Sequence, residues 1–389
     1  MSQLALDGAA LRPLRSGAWR LRALLAAQFA LLGLVIGAQS VLWSDIKLGL
    51  GLGDGVFGTA MMLTPLVGFV TLLAGGPWRR LGQRPLALAG LLAIAGSVLL
   101  LATARTLWPF LAARVLAGLG FALLEGAVNR AALGWERSTG RQLVGLIYAM
   151  FSGGMVTGAL AAGALVARGL GYGAALALLV PALLLVAAAT AVTAYPQERS
   201  GATPGAAVAP GGLRDGRFLL LACLALLAVA GEAVADLWGV IYLRTLGADA
   251  LAGSVVFALF NGAMILGRLA NGPLIARWGA RAALRCAWVG TGLAAALLGL
   301  GGPLLSAAAF TLIGLAVAGV IPTLLSLARA GRAADGDAMV NRIVATTYLG
   351  FVVVPPVVGW LAELWGLQPA LLLVLATISV ALWRLARRV

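Results

Sequence analysis

Residues 75–84 read GGPWRRLGQR, and residues 272–281 read GPLIARWGAR. Each of these short basic stretches lies between two long apolar segments, and they are 197 residues apart in a chain of 389 residues. Aligning their first glycines pairs Gly75 with Gly272, Arg80 with Arg277, Gly82 with Gly279 and Arg84 with Arg281. A repeat at about half the chain length predicts two halves with the same architecture.

The composition indicates which solvent surrounds these halves. The chain is 62% hydrophobic and 11% charged, with a mean hydropathy of +1.01. Soluble domains carry about 25% charged residues, and a water-soluble fold must place many residues at its surface. The sequence therefore predicts an all-α integral membrane protein. Segments of the length that spans a bilayer lie at 22–43, 55–77, 86–104, 109–133, 143–167, 172–194, 218–241, 251–275, 283–301, 304–328, 340–362 and 367–384.

One connection is much longer than the others. Residues 195–217 read YPQERSGATPGAAVAPGGLRDGR, a composition rich in Pro, Gly and Ala that is typical of a flexible linker. The predicted fold is two pseudo-symmetric six-helix bundles. Its parts are an N-terminal segment 1–21, a bundle 22–194, the linker 195–217, a second bundle 218–384 and a tail 385–389.

The distribution of positive charge predicts the orientation. With a cytoplasmic N-terminus, the outer side receives only Lys47, Arg105, Arg168 and Arg244 of the 28 Lys and Arg residues. Basic residues collect on the cytoplasmic side of membrane proteins, so we expect a multi-pass plasma (inner) membrane protein with both termini in the cytoplasm. This topology accounts for most of the net charge of +15. The expected partner is therefore the lipid bilayer and not nucleic acid, and the expected state is a monomer. A small-molecule substrate is a further expected partner, for the reasons that follow.

The repeated loop resembles a motif of the major facilitator superfamily, G-x-x-x-D-R-x-G-R-R after the second and eighth helices. Arg79 and Ala276 stand where that family usually has an Asp. RVLAG, Arg114–Gly118, resembles the family's fourth-helix signature. The resemblance implies two parallel repeats with substrate bound between them near the midplane. It also implies a conformational or gating role for Arg114 and for the eight paired loop residues listed above.

A narrower resemblance is to the fucose-permease branch of that family. LLEGAVNRAAL, residues 123–133, resembles its fourth helix, in which a Glu is followed four residues later by an Asn. The stretches 267–279, 321–328 and 354–363 continue the likeness. The first-helix Asp of that branch is missing here, since its position falls near Ser40, beside Gln39.

Few polar residues lie inside the predicted spans, and such residues usually face the protein interior or a wet cavity. Glu125 and Asn129 are one helical turn apart, and Arg114 falls on the same stripe of the fourth helix. We predict that Glu125 exchanges the coupling proton, because burial disfavours the charged carboxylate, and that Asn129 binds substrate. The alternative is a permanent ion pair of Glu125 with an arginine of another helix.

The seventh helix carries Glu232 and Asp236 one turn apart. Two adjacent carboxylates do not ionise independently, so this pair is a second candidate for proton coupling. The alternative is a salt bridge to Arg114 or Arg268. Trp238 is predicted either to stack on a sugar-like ring or to lie in the interfacial belt that most of the eleven tryptophans are expected to form.

Other polar and small residues complete the predicted cavity and packing. Candidate substrate ligands are Gln28, Gln39, Tyr148, Ser152 and Asn261. The small-residue stretch 151–163 favours close helix packing. The two cysteines are expected to be small buried hydrophobes. Helices are expected to break at Pro65, Pro181, Pro322 and the Pro355–Pro356 pair.

The functional hypothesis is a secondary transporter that moves a small polar, sugar-like solute by proton-coupled symport and alternating access. One alternative is a proton-driven exporter of lipophilic or cationic compounds, and another is a non-transporting receptor or scaffold. An enzyme is disfavoured because the chain has no histidine and no nucleophile–base or phosphate-binding motif. The expected energy source is a proton gradient, with no cofactor and no metal.

Overall fold

The computed structural model describes residues 12–74, 81–195, 215–329 and 333–388, which form twelve long helical stretches. The first six are α1 (Arg12–Gly49), α2 (Asp54–Met61 and Leu63–Leu73), α3 (Gln83–Thr103), α4 (Leu107–Thr139), α5 (Val144–Ala167) and α6 (Tyr172–Ala177 and Leu179–Val192). The others are α7 (Gly216–Ala233, Val234–Trp238 and Gly239–Thr245), α8 (Ala250–Trp278), α9 (Ala280–Leu300), α10 (Pro303–Val317 and Val320–Arg329), α11 (Ala333–Trp365) and α12 (Leu367–Ala386). By length and apolar composition, all twelve are candidate membrane spans, which confirms the predicted all-α membrane fold.

Three helices are interrupted just before a proline. The breaks fall at Met62 in α2, Leu178 in α6 and residues 318–319 in α10, three to four residues ahead of Pro65, Pro181 and Pro322. A proline has no N–H for the carbonyl four residues earlier, and its ring crowds that carbonyl. The predicted break at Pro355–Pro356 was wrong, because α11 continues through both prolines.

The seventh helix contains an irregularity of another kind. Residues Val234–Trp238 form a π-helical turn between two α-helical segments, and Asp236 lies at its centre. A π-turn inserts one extra residue and re-aims the side chains that follow, and such turns occur frequently at functional sites. The turn contains no proline or glycine from which the sequence could have predicted it.

One matched pair of glycines in the repeat shares a backbone conformation. Gly82 has φ 76° and ψ 168° before α3, and its partner in the repeat, Gly279, has φ 79° and ψ 171° before α9. These positive φ values favour glycine over residues with a side chain. The matched glycines therefore fix the same turn in both halves.

Contacts divide the chain into two compact units. Unit one comprises residues 1–38, 67–158 and 171–202. Inside it, α1 and α5 pack backbone to backbone: a Cβ at Gly33 or Gly37 would clash with a carbonyl of α5, and one at Gly154 or Gly158 would clash with a carbonyl of α1. The small-residue stretch of α5 is thus a packing face, as predicted.

Unit two comprises residues 39–66, 159–170 and 203–389. It includes the end of α1, the following turn and the first half of α2, which packs tightly on α11. A Cβ at Gly58 would clash with the carbonyl of Pro355, and a Cβ at Gly359 would clash with the carbonyl of Asp54. The Trp360 ring lies directly over Gly55.

Polar contacts reinforce this part of unit two. The Glu363 carboxylate accepts a hydrogen bond from the backbone N–H of Gly55 at 3.0 Å, and Trp360 Nε1 donates to Thr59 Oγ1 at 3.0 Å. Asp45, near the end of α1, forms an ion pair with Arg244 of α7 at 2.8 Å. Lys47 and Asp54 form a second ion pair, which joins the last turn of α1 to the start of α2.

Several side chains predicted from their type alone can now be placed. Trp19, Trp108, Trp278 and Trp365 are exposed near helix ends, as an interfacial belt requires. The cysteine prediction was wrong: Cys223 and Cys286 are free and exposed on α7 and α9. A position exposed on an apolar span contacts lipid rather than water. A small hydrophobic residue therefore suits an exposed position there as well as it suits a buried position.

Candidate functional site

A polar cluster in unit one joins α4 to α5. Asn129 Nδ2 of α4 donates to the Tyr148 hydroxyl of α5 at 3.2 Å. Ser152 lies one turn after Tyr148 and donates to its carbonyl at 3.2 Å. Tyr148 remains 43% exposed, so the cluster can accept a further polar partner. Three of the predicted site residues are thereby brought together.

Glu125 belongs to the same cluster. It lies one turn before Asn129 on α4, and its carboxylate interacts electrostatically with Tyr148. The ion pairs found among the described residues do not include it. The alternative of a permanent arginine partner for Glu125 therefore has no support in the part of the chain that the structure describes.

An aromatic side chain from α1 holds this cluster in place. Phe29 is almost fully buried, and its ring meets Tyr148 edge to face, with centroids 5.3 Å apart and planes at 78°. It also contacts Phe151 at 6.2 Å. Sequence reasoning missed Phe29, since a phenylalanine in an apolar span gives no sign of a particular role.

The carboxylates of α7 form a second polar group, in unit two. Glu232 and Asp236 lie one turn apart, each only partly exposed. Glu232 Oε1 is 3.9 Å from a guanidinium nitrogen of Arg268 on α8. The predicted alternative, a salt bridge of this pair to Arg268, is thus present for Glu232 as a long contact.

Among the described residues of unit two, the buried side-chain N–H donors without acceptors are Gln39 Nε2 and Trp238 Nε1. Trp238 has no exposed surface, which excludes the interfacial belt for this tryptophan. It lies at one end of an aromatic chain, 5.9 Å from Phe57, which in turn lies 6.2 Å from Trp43. Buried donors are nearly always satisfied, so these two groups require partners that the described contacts do not supply.

Two other predicted ligands are engaged by the protein itself. Gln28 is fully buried in unit one, and its Nε2 donates to Thr190 at 2.7 Å and to Tyr195 at 2.8 Å. Asn261 is buried in α8 and donates to the carbonyl of Phe257 at 3.0 Å. In this conformation both amides stabilise packing and are not directed at a ligand.

The predicted gating residues are scattered. Arg114 is buried on α4, far along the helix from Glu125. Gly82 and Arg84 begin α3, Gly272 and Arg277 lie in the last turns of α8, and Gly279 and Arg281 begin α9. Gly75 and Arg80 lie outside the described residues. The gating role of this set stays a prediction.

Candidate metal ligands do not converge in the described ranges, where no three His, Cys, Asp or Glu side chains are grouped as a metal ion would require. The polar groups described above are instead carboxylates, amides, hydroxyls and the half-exposed Arg268. Such groups can exchange protons and bind polar oxygens.

Comparison with known sequences matches this chain to one family model and to one relative. The Major Facilitator Superfamily model matches residues 25–339. Membrane protein MosC of Rhizobium meliloti is 25% identical over 356 residues, which are 90% of this chain and 85% of MosC.

Solved structures with the same fold include the nucleoside transporter NupG. Its TM-score is 0.79 at 14% identity, over 94% of this chain and 97% of that one. An inward-facing bacterial homolog of the human lysosomal transporter Spinster has a TM-score of 0.73 at 15% identity, over 95% and 96%. A variant of the E. coli fucose:proton symporter FucP has a TM-score of 0.59 at 19% identity, over 94% and 98%. Because the family model covers most of the chain, this protein belongs to the major facilitator superfamily.

Proposed function

We propose that this protein is a secondary active transporter that moves a small polar, sugar-like solute across the cytoplasmic membrane by alternating access and proton symport. Both termini face the cytoplasm in this proposal. The observation that carries it is the cluster of Glu125, Asn129 and Tyr148, which places one carboxylate beside two hydrogen-bonding groups. FucP, a fucose:proton symporter, shares the fold, and its name states the kind of coupling that we propose.

Glu125 is the proposed proton carrier because of its surroundings. It lies in an apolar helix, half-buried, and without an ion-pair partner among the described residues. A charged group in such a place is costly, so the carboxylate is best accommodated with a proton when water is excluded. Exposure to water then favours release of the proton. A group that alternates between these two environments couples proton movement to the conformational cycle.

Asn129 and Tyr148 are the proposed solute ligands. Their mutual hydrogen bond uses one amide hydrogen and leaves the amide oxygen, the second amide hydrogen and the phenol hydrogen for a ligand. These groups recognise hydroxyl and carbonyl oxygens, which is the chemistry of a sugar or nucleoside. The donors of Gln39 and Trp238 in unit two, buried in this conformation, would suit oxygens of the same class of ligand once they are exposed.

The packing of α2 on α11 supports the alternating-access part of the proposal. In the proposed orientation these contacts lie at the outer end of the helices, together with the Asp45–Arg244 ion pair. They close that end within unit two. A transporter must release such contacts at another stage of its cycle, and a small number of glycine contacts and two partly exposed ion pairs can be released at modest cost.

The test is uptake into proteoliposomes under an imposed pH gradient, with candidate solutes first selected by thermal shift of the purified protein. A ligand at about 100 times its Kd adds about 2.7 kcal/mol to stability, which a melting curve detects. Wild-type protein is expected to accumulate the selected solute against its gradient. Glu125→Gln is expected to bind and exchange the solute but to lose accumulation.

Glu198→Gln makes the same chemical change in the linker and serves as the matched control. If Glu125→Gln accumulates solute as the wild type does, Glu125 is not the proton carrier. If only lipophilic or cationic compounds stabilise the protein, the polar-solute proposal is wrong and export of such compounds replaces it.

A further inference from the structure

Arg268 is a charged residue in the interior of a membrane-spanning helix. It lies ten residues before the end of α8, about 15 Å along the axis. Its side chain is nevertheless 51% exposed. A charged arginine within a span does not face hydrocarbon without a large cost, so we take its exposed part to face water, which it reaches in a cavity or at the interface, or a ligand.

The guanidinium is incompletely neutralised. Its contact with Glu232 measures 3.9 Å, which is within ion-pair range but too long for a hydrogen bond. Arginine carries five N–H donors in a planar fork, and no hydrogen bond joins them to a described residue. Among the described residues, the fork therefore has donors that Glu232 does not use, on a side chain that is half exposed.

The negative charge on Glu232, which balances Arg268, can be removed by a proton. Glu232 is 27% exposed, and Asp236 of the same helix lies one turn further on, at the centre of the π-turn. Helices α10, α11 and α12 also pack on α7. Of the described charged groups, Arg268 attracts a proton-free Glu232 and Asp236 repels it. Uptake of a proton by Glu232 itself would remove both the repulsion and the counter-charge of Arg268, and so release the guanidinium.

We propose that Arg268 is an anion-binding residue, which binds the carboxylate of an organic monoanion in place of Glu232 when Glu232 takes up a proton. A single guanidinium balances one negative charge, and its planar fork matches a carboxylate. The substrate class is therefore a polar monocarboxylate such as a sugar acid. This inference rests on the proposed transport function and narrows its solute from a neutral sugar to an acid.

Charge balance gives the proposal a definite mechanism. Before binding, Arg268 faces the Glu232 carboxylate. After binding, the proton is on Glu232 and the substrate carboxylate faces Arg268, so the charge of the group is unchanged. Proton and anion enter together, and neither binds well without the other.

The test is binding of matched pairs of solutes to the purified full-length protein, measured by thermal shift and by equilibrium dialysis at an acidic and an alkaline pH. The probes are glucuronate with glucose, galacturonate with galactose, and gluconate with sorbitol. Wild-type protein is expected to bind at least one acid about tenfold more tightly at acidic pH, and more tightly than its neutral partner. Arg268→Gln is expected to weaken binding of the acid by about tenfold or more and to leave the neutral partner unchanged.

Two further variants test the anion site if Arg268→Gln does not fold. Glu232→Gln mimics the protonated state and is expected to bind the acid with little dependence on pH. Arg268→Lys keeps the charge without the fork and is expected to give intermediate affinity. Arg285→Gln removes an exposed arginine of α9 and is the matched control.

Three outcomes would overturn the anion site. They are an unchanged affinity of Arg268→Gln for the acid, equal affinity of wild type for acid and neutral partner, and no stabilisation by any of the acids. If a neutral solute is accumulated in a Glu125-dependent manner while no acid binds, the proposed function stands and the anion site fails. If acids bind through Arg268 but Glu125→Gln still accumulates them, the anion site stands and the role of Glu125 fails.

Discussion

At the scale of single residues, the polar side chains are of two kinds. Some form hydrogen bonds within the protein, and others remain available to a ligand. Gln28 shows the first kind, since both ends of its amide are engaged with Tyr195 and its nitrogen also reaches Thr190. Tyr148 shows the second, since it is exposed and its hydroxyl accepts a hydrogen bond from Asn129 while its own hydrogen stays available. Residue type alone did not distinguish them, because a buried glutamine and a cavity glutamine have the same sequence signature.

Tyr148→Phe removes the hydroxyl from the α4–α5 cluster and keeps the ring that Phe29 contacts. We expect affinity for the transported solute to fall by about fivefold to tenfold, the effect of one hydrogen bond, with little change in stability because the site is exposed. Solute titration of the purified variant checks this. Tyr172→Phe, at a part-buried tyrosine of α6, is the control, and equal affinities of the two variants would contradict the role of Tyr148.

Ionisation of Tyr195, just beyond α6, is expected to make the stability of the protein depend on pH. Burial raises the pKa of its phenol to about 12, although its hydrogen bonds with Gln28 and Thr190 act in the opposite direction. The unfolded chain ionises near pH 10, so the contribution of this group to stability is complete below that pH. It is lost as the pH rises from about 10 towards 12. We expect the melting temperature of wild-type protein to fall more steeply over this range than that of Tyr195→Phe, and parallel curves would contradict it.

At the scale of helices, the sequence predicted the number and the type of element well. Twelve apolar segments of spanning length leave little choice, and three of the prolines marked real breaks. The π-turn at 234–238 could not be predicted, because it depends on how α7 packs rather than on a residue that forbids the α-helix. Residue type was equally insufficient at Pro355 and Pro356, which lie inside the continuous α11.

The α1–α5 contact offers a test at this scale with neighbouring glycines. Gly154→Ala places a Cβ against the carbonyl of Ala30, whereas Gly153→Ala places it in open space. We expect Gly154→Ala to lower the free energy of unfolding by about 1–3 kcal/mol through overpacking. Gly153→Ala should be neutral or slightly stabilising, because alanine favours the helix. Thermal unfolding of both variants decides, and equal stability would show that α1 and α5 are not in backbone contact.

At the scale of the whole molecule, the internal repeat was the most informative part of the sequence. It predicted two halves, and the matched φ values of Gly82 and Gly279 give it a conformational basis. The compact units do not coincide with those halves, because residues 39–66 and 159–170 of the first half pack with the second. Such contacts depend on the conformation that the transporter adopts, and no local pattern predicts them.

Breaking the Asp45–Arg244 ion pair tests the proposed closure of the outer end. In a protein without its two native cysteines, we place a cysteine at Ser44, a buried residue of α1. Asp45→Asn should speed labelling of that cysteine by a water-soluble maleimide by about fivefold, because the lost pair is worth about 1 kcal/mol. Lys47→Gln breaks the neighbouring pair, which joins helices that are adjacent in the chain, and should have less effect. Equal labelling rates in all variants would show that the Asp45 pair does not hold this end closed.

The aromatic chain of Trp43, Phe57 and Trp238 has an optical consequence. Both indoles are buried in this conformation, whereas Trp19, Trp108, Trp278 and Trp365 already face outwards. Separation of α2 from α7 would bring water to Trp43 and Trp238 and shift their emission to longer wavelength, while the outward-facing indoles would change little. The transport cycle therefore carries its own fluorescence signal, and solute-dependent opening can be followed in real time without an attached dye.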